Sequence, residues 1–324
     1  MGTSWLVQIA SPTLPDLAGL QANIESRLLE INAQMSTWDP DSLICKINAA
    51  PKGWYALPKD FYQVTDTALK LASLTEAAFD PTLGELINLW GFGPAGPVSA
   101  PPNPHALRTA LLRSGWRKTV LNQKHHAIWQ PGGLQFDFSS IAKGYAVDEI
   151  ASLIDTAGLN HYLVELGGEM KARGNADTQR PWRVDIAHPD ANLLHDPDGL
   201  QWHEAGCIAM HGKRYAALPI VLKDAGLATS GDYLRSFTYH GVQYSHTLDG
   251  RTGQPIANNL AAVSIIHESA MWADAMATAI QCLGPDKGWE FAQNHELAAL
   301  FFIRQANDYE VKLTPQFKCL AGAE

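Results

Sequence analysis

The chain has 324 residues, 46% of them hydrophobic and 18% charged, with a formal net charge of -9. That composition is globular and long enough for a substantial core, which excludes a disordered or fibrous chain. With no long Lys/Arg run to offset the acidic balance, nucleic acid is not expected as a partner, and any anionic cofactor would need local neutralisation.

In chain order, Thr3 to Ala10 reads as a strand, and Leu17 to Ala33 has helical spacing of Leu20, Ile24, Leu28 and Ile31. MSTWDPDSLICKINA follows as a turn centred on Asp39-Pro40 and a short helix, and Phe61 to Ala77 as a second amphipathic helix. FDPTLGELINLWGFGP reads as a loop with a helical turn, residues 94–104 as a proline-rich surface loop, and Leu107 to Ser114 as a helix. Short strand patterns at Lys118 to Leu121 and His126 to Gln130 precede QFDFSSIAKGYAVDEIASLID, a strand that runs through a turn into a helix.

The second half is strand-rich: YLVELGG, WRVDIAHP, GCIAMHG, LATSGDYLRSF, YSHTLD and AAVSIIH are short and bounded by Gly, Pro or polar residues. A polar insert lies between residues 190 and 206. MWADAMATAIQCLG is a helix, EFAQNHELAALFFIRQ a helix into a strand, and the chain ends on a strand and tail. Strands and helices mix without regular βαβα alternation, so the fold class expected is α+β with mixed, largely antiparallel sheet. No GxGxxG follows the first strand and no Walker A motif is present, which removes the main support for Rossmann and P-loop readings.

No segment reaches the roughly 18 apolar residues of a membrane span. Met1 to Ala10 lacks the charged region and long apolar run of a signal peptide, which leaves a cytosolic location and a targeting segment outside this chain as alternatives. Cys45, Cys207, Cys282 and Cys319 lie far apart without a CxxC, so a zinc site is not expected; Cys282 reads as a core residue, and a disulfide stays open.

Several residues carry possible chemistry. Asp274 and Thr278, four apart on one helix face, offer a carboxylate and a hydroxyl to a hard cation; a solvent-facing polar stripe is the plain alternative, though the flanking alanines suggest burial. Asp137 ends a strand and Ser139-Ser140 opens a helix, where free N–H groups suit a phosphate or carboxylate and Lys143 could add charge; a simple N-cap is the alternative. His246 with Asp249 three residues on could form a base and its carboxylate, or merely belong to turns. Ser230 lacks the GxSxG setting of a hydrolase elbow and reads as a hydrogen-bonding or turn residue. Asp80 precedes a proline, and Gly167-Gly168 permits a close backbone approach.

The blocks MGTSW, STWDPDS, AFDPTLGELINLWGFGP, DFSSIAKGYAVD, LVELGGEMKARG, ATSGDYLRSF, YSHTLDGRTGQP and ADAMATAI occur in this order over nearly the whole chain, and TPQFK closes it. This series resembles the ApbE family of FAD:protein FMN transferases. The resemblance implies one T-fold-like domain over residues 1–324, two-lobed, with FAD in a central cleft and Mg2+ bridging its pyrophosphate to the protein. It further implies that a Thr or Ser of an acceptor flavoprotein, typically a subunit of a membrane redox complex, attacks the FMN phosphorus and AMP leaves.

Carried over by position, Asp274, Thr278 and the carbonyl of Ser140 match metal ligands. Met1, Trp38, Ala78, Phe79, Asp80, Asp137, Lys143 and Leu248 match FAD contacts, and His246 matches the proposed base. Trp38 stands where the family commonly has Tyr. A non-aromatic residue there goes with relatives that hydrolyse FAD to FMN and AMP, so Trp38 favours transfer. A metal-dependent FAD diphosphatase and a non-catalytic FAD-binding protein are the rival readings; Asp274 and His246, dispensable to simple binding, argue against the second. The family implies a periplasmic or inner-membrane-attached location.

Overall fold

In the computed structural model, which describes residues 2–12, 15–177, 180–189, 201–202, 207–210, 213–216, 218–233, 235–306 and 309–321, seven strands pair in chain order. They are Trp5–Ile9, Tyr162–Leu166, Glu169–Arg173, Ala225–Gly231, Leu260–His267, Ala298–Arg304 and Tyr309–Leu313, and every pairing is antiparallel. The α+β class with antiparallel sheet expected from the sequence is therefore the fold observed.

The strand Ala298–Arg304 is apolar without a break up to Ile303, which is explained by a sheet covered on both faces. Ala299, Phe301 and Ile303 join one core cluster with Val164, Val263 and Ile265, while Ala298, Leu300 and Phe302 join the other with Leu163, Ala262 and Ile266. Successive side chains alternate between faces, so a strand buried on both sides loses its polar positions.

Helices α1 (Leu17–Met35), α2 (Leu43–Ala49), α3 (Lys59–Leu74), α4 (Gly84–Leu89) and α5 (Pro104–Arg113) lie between the first and second sheet strands in the chain. α1 starts where expected because Asp16 accepts the Gly19 N–H at 3.0 Å, and it buries Leu20, Ile24, Leu28 and Ile31. α6 (Ala142–Thr156) and α7 (Ala270–Asn294) contribute to the same core cluster. α7 is interrupted at Gly284-Pro285, where Gly284 takes φ 77°.

Asp148 on α6 sets the register of these two helices. Its carboxylate accepts the backbone N–H groups of Ala270 and Met271, each at 3.0 Å, and the Ser269 hydroxyl at 2.7 Å, while pairing with Lys171 at 2.6 Å. The start of α7 is thereby tied to the middle of α6, and the residues one turn further along α7 face a fixed part of α6.

Around Trp90, α4, α5 and the hairpin Ser236–Tyr239/Val242–Ser245 build a smaller aromatic cluster. Trp90 and Tyr244 stack at 5.5 Å and Phe237 and Tyr244 at 5.1 Å. The second core cluster takes in the ribbon Trp182–Ile186/Leu218–Leu222 and α8 (Pro315–Ala321).

Three expectations are corrected. The closing TPQFK is not a tail but opens α8, with the Thr314 hydroxyl accepting the Phe317 N–H at 3.3 Å as a cap. Lys118 to Leu121 is not one strand: a 3-10 turn covers Trp116–Lys118, and only Leu121–Asn122 pairs as strand. QFDF is not a strand ending at Asp137, since only an isolated bridge between Gln135 and Leu83 forms there, and the helix that follows starts at Ala142 rather than at the serines. Most of the polar insert at 190–206 lies outside the described residues. Cys45, Cys282 and Cys319 are free, and among the described residues no helix is long and apolar enough to cross a membrane.

Candidate active site

A cleft of about 360 Å3 opens where the end of α1, the loops around Asp80 and Asp137, the strand Ala225–Gly231, the exit of the 236–245 hairpin and α7 converge. Residues separated by more than 200 positions meet in it.

Asp274 reaches the cleft from α7 and is only 4% exposed. Its Oδ2 accepts the Gly144 N–H at 3.0 Å, so the carboxylate answering the free N–H groups of α6 belongs to the protein itself. Burial raises the Asp274 acid above its ordinary value, and the nearby Lys143 ammonium opposes that rise. Thr278 lies one turn further on, its Oγ1 3.0 Å from the Ser230 hydroxyl. Ser140 lines the same wall. The Asp274–Thr278 spacing thus brings both groups into one cavity, as their helical register implied.

Lys143 projects from the first turn of α6 and pairs with Glu169. Burial pulls the ammonium down, but the Asp274 and Glu169 carboxylates outweigh it and leave Lys143 raised. Glu169 begins a strand directly after the turn at Gly167 and Gly168, where φ is 58° and 100°. Its side chain is 3% exposed, and its Oε2 has no hydrogen-bond partner among the described residues. Burial, reinforced by Asp274, holds this acid above the usual carboxylate range despite Lys143. The sequence reading passed over Glu169. The signal available was an acidic residue immediately after a Gly-Gly turn that ends an apolar strand.

His246 follows the hairpin strand Val242–Ser245. Its backbone N–H and its Nδ1 each lie 3.0 Å from the carbonyl oxygen of Arg235. The Phe92 ring meets the imidazole edge-on at 6.3 Å. Burial pulls His246 down to about 4. The pairing of His246 with Asp249 is corrected: Asp249 is bound by the backbone N–H of Arg251 at 2.9 Å and by its guanidinium at 2.6 and 2.8 Å. A backbone carbonyl, not a carboxylate, orients the imidazole.

The remaining expected contacts divide. Trp38 stands at the rim, 59% exposed, and Phe79 and Leu248 form buried wall. Asp80 and Asp137 line the cleft but also organise their own loops. Asp80 accepts the Thr82 N–H at 2.9 Å, the Thr82 hydroxyl at 2.6 Å and the Trp116 N–H at 3.0 Å, and burial raises its acid. Asp137 accepts the Ser139 N–H at 2.9 Å and the Ser139 hydroxyl, so that serine serves the loop rather than capping α6. Ala78 sits behind the wall in a small cluster with Ile256 and Cys282. Met1 lies outside the described residues.

The ApbE family model matches residues 1–301. A Haemophilus influenzae protein named FAD:protein FMN transferase is 32% identical over 302 residues, covering 92% of this chain and 82% of its own. The Escherichia coli protein of that name is 30% identical, covering 100% and 88%. The crystal structure of Pseudomonas stutzeri flavinyl transferase ApbE, apo form, has a TM-score of 0.86 at 33% identity, covering 100% of this chain and 95% of that one. The flavin transferase ApbE from Vibrio cholerae has a TM-score of 0.86 at 30% identity, covering 98% and 96%.

Proposed function

Because this chain belongs to the ApbE family, we propose that it transfers FMN from FAD to the side chain of a threonine or serine in an acceptor flavoprotein, releasing AMP. One observation carries the finer reading. A single cleft holds Asp274, Thr278, Lys143 and an imidazole whose Nε2 is unengaged among the described residues.

In this reading the chain works as one domain whose two lobes form a single cleft for the dinucleotide. Trp38 offers its exposed ring to the isoalloxazine, and Phe79 and Leu248 supply apolar wall. Lys143 presents its ammonium to the pyrophosphate. His246 Nε2 accepts the proton of the acceptor hydroxyl as the new oxygen–phosphorus bond forms on FMN. The bond from that phosphorus to the bridging oxygen breaks, and AMP departs with the bridging oxygen. Positioning and charge neutralisation do most of the work in such displacements.

Mg2+ fits the residues present. The Asp274 carboxylate, the Thr278 hydroxyl and the Ser140 carbonyl are hard oxygen donors of the type that ion prefers, and Glu169 Oε2 is a buried oxygen without a partner among the described residues. Among the described residues no group of three or more His, Cys, Asp and Glu converges, so the ion would rest on this mixed set. When bound, it neutralises charge on the pyrophosphate and the leaving AMP.

The acceptor expected is a subunit of a membrane redox complex, with the enzyme on the periplasmic side. The test is incubation with FAD, Mg2+ and a flavoprotein domain carrying an acceptor threonine, read as flavin fluorescence on the denatured acceptor. Mg2+-dependent labelling supports transfer. A dark acceptor with AMP accumulating at full rate would instead identify a diphosphatase.

A further inference from the structure

Among the described residues, five buried side-chain polar atoms lack a hydrogen-bond partner: Gln34 Oε1, Glu85 Oε2, Trp116 Nε1, Glu169 Oε2 and Gln281 Oε1. Only Glu169 belongs to a residue lining the cleft. A carboxylate oxygen withdrawn from water without a partner is unfavourable, more so than a neutral group. Here the cost is increased by a second buried carboxylate, Asp274, which lines the same cleft. One ammonium, that of Lys143, serves both acids, and it is engaged by Glu169 Oε1. Lys143 does not also reach Oε2, and no other described donor does.

The Gly167-Gly168 turn delivers Glu169 to the cleft wall as the first residue of its strand. A core ion pair would need neither a second, open oxygen nor a neighbouring acid. A divalent cation would resolve both. With the two acids ionised, it turns the cleft floor from one net negative charge to one net positive charge, which suits a pyrophosphate.

We propose that Glu169 is a further cation-binding residue of this cleft, its free Oε2 joining the site formed by Asp274 and Thr278. This rests on the reading that those two residues hold the ion. It also couples FAD binding to the cation, each ligand strengthening the other, because coupling between two ligands is reciprocal.

The test is Mn2+ binding to the FAD-free protein, measured by the electron paramagnetic resonance signal of free Mn2+ at fixed pH. Glu169→Gln is expected to weaken Mn2+ binding by about 10-fold or more, and Asp274→Asn to weaken it at least as much. In flavin-fluorescence titrations without cation, Glu169→Gln binds FAD at least as tightly as the unaltered protein, and the gain on adding cation shrinks. Should Glu169→Gln alone fail to fold, Lys143→Met is compared with Lys143→Met/Glu169→Gln, which removes both charges of the pair, and the same loss is expected. Unchanged Mn2+ affinity on losing Glu169, with the Asp274 effect intact, overturns the proposal and leaves Glu169 a partner of Lys143 only. Unchanged affinity in both variants removes the cation reading of the cleft altogether.

Discussion

The carbonyl oxygen of Arg235 receives two hydrogen bonds from His246, one from the backbone N–H and one from Nδ1–H, each at 3.0 Å. A carbonyl can only accept, so Nδ1 carries the proton and the lone pair sits on Nε2. The imidazole is thereby held in the tautomer a general base requires. His246→Ala is expected to cut FMN transfer by about 10²- to 10⁴-fold while FAD binding persists. Acceptor labelling at saturating FAD checks the first part and flavin titration the second.

The same residue sets a pH dependence. Burial holds His246 at about 4 against an ordinary 6.5; Arg235 and Lys143 also lower it, while its hydrogen bond to Arg235 and the charge of Asp232 raise it. The base therefore stays neutral through the mildly acid range, and the acid limb of kcat/KM that belongs to it lies below the 6.5 of a free imidazole. Stability has the matching sign. A depressed pKa means the unfolded chain binds the proton first, so the His246 contribution is complete above 6.5 and is lost as pH falls towards 4. Melting temperatures of the unaltered protein and His246→Ala should converge over that interval. Parallel curves would show that the imidazole titrates alike in both states.

Gly144 is where α6 touches α7. A Cβ there would lie 2.2 Å from the Ala270 carbonyl oxygen and 2.8 Å from the Asp274 Cβ. Gly144→Ala should cost about 1–3 kcal/mol through overpacking, seen as a lower melting temperature. It should also weaken Mg2+-dependent activity, because the helix carrying Asp274 must move. A variant with native stability and native metal dependence would mean the helices separate freely.

Trp38 is exposed, so its loss should leave stability within about 0.5 kcal/mol. Trp38→Ala should weaken FAD binding by about 0.5–1.5 kcal/mol, the worth of an aromatic pair beyond area burial, whereas Trp38→Tyr should retain it. AMP release measured without acceptor should rise in Trp38→Ala. Equal release in both variants would separate the ring from control of hydrolysis.

The parts of this protein that depend on near neighbours were readable in advance. Leu20, Ile24, Leu28 and Ile31 recur at helical spacing, and all four are buried on one face of α1. Asp274 and Thr278 lie one helical turn apart, so their shared face followed from the backbone period. The antiparallel α+β class followed from many short strands without regular alternation. The order of eight blocks carried the family.

What acts across the fold was decided by tertiary structure. Proximity in sequence suggested Asp249 for His246, but Arg251, two residues on, captures that carboxylate, and the imidazole finds a carbonyl 11 residues back across a hairpin. Glu169 meets Lys143 only because a strand turn and a helix start abut. The free N–H of Gly144 is taken by Asp274, 130 residues away, once Asp148 has fixed α7 against α6. Local periodicity and turn chemistry are set by residues a few positions apart. Which buried charge meets which partner depends on the faces that packing brings together, and that Glu169 Oε2 meets none among the described residues is visible only when that packing is complete.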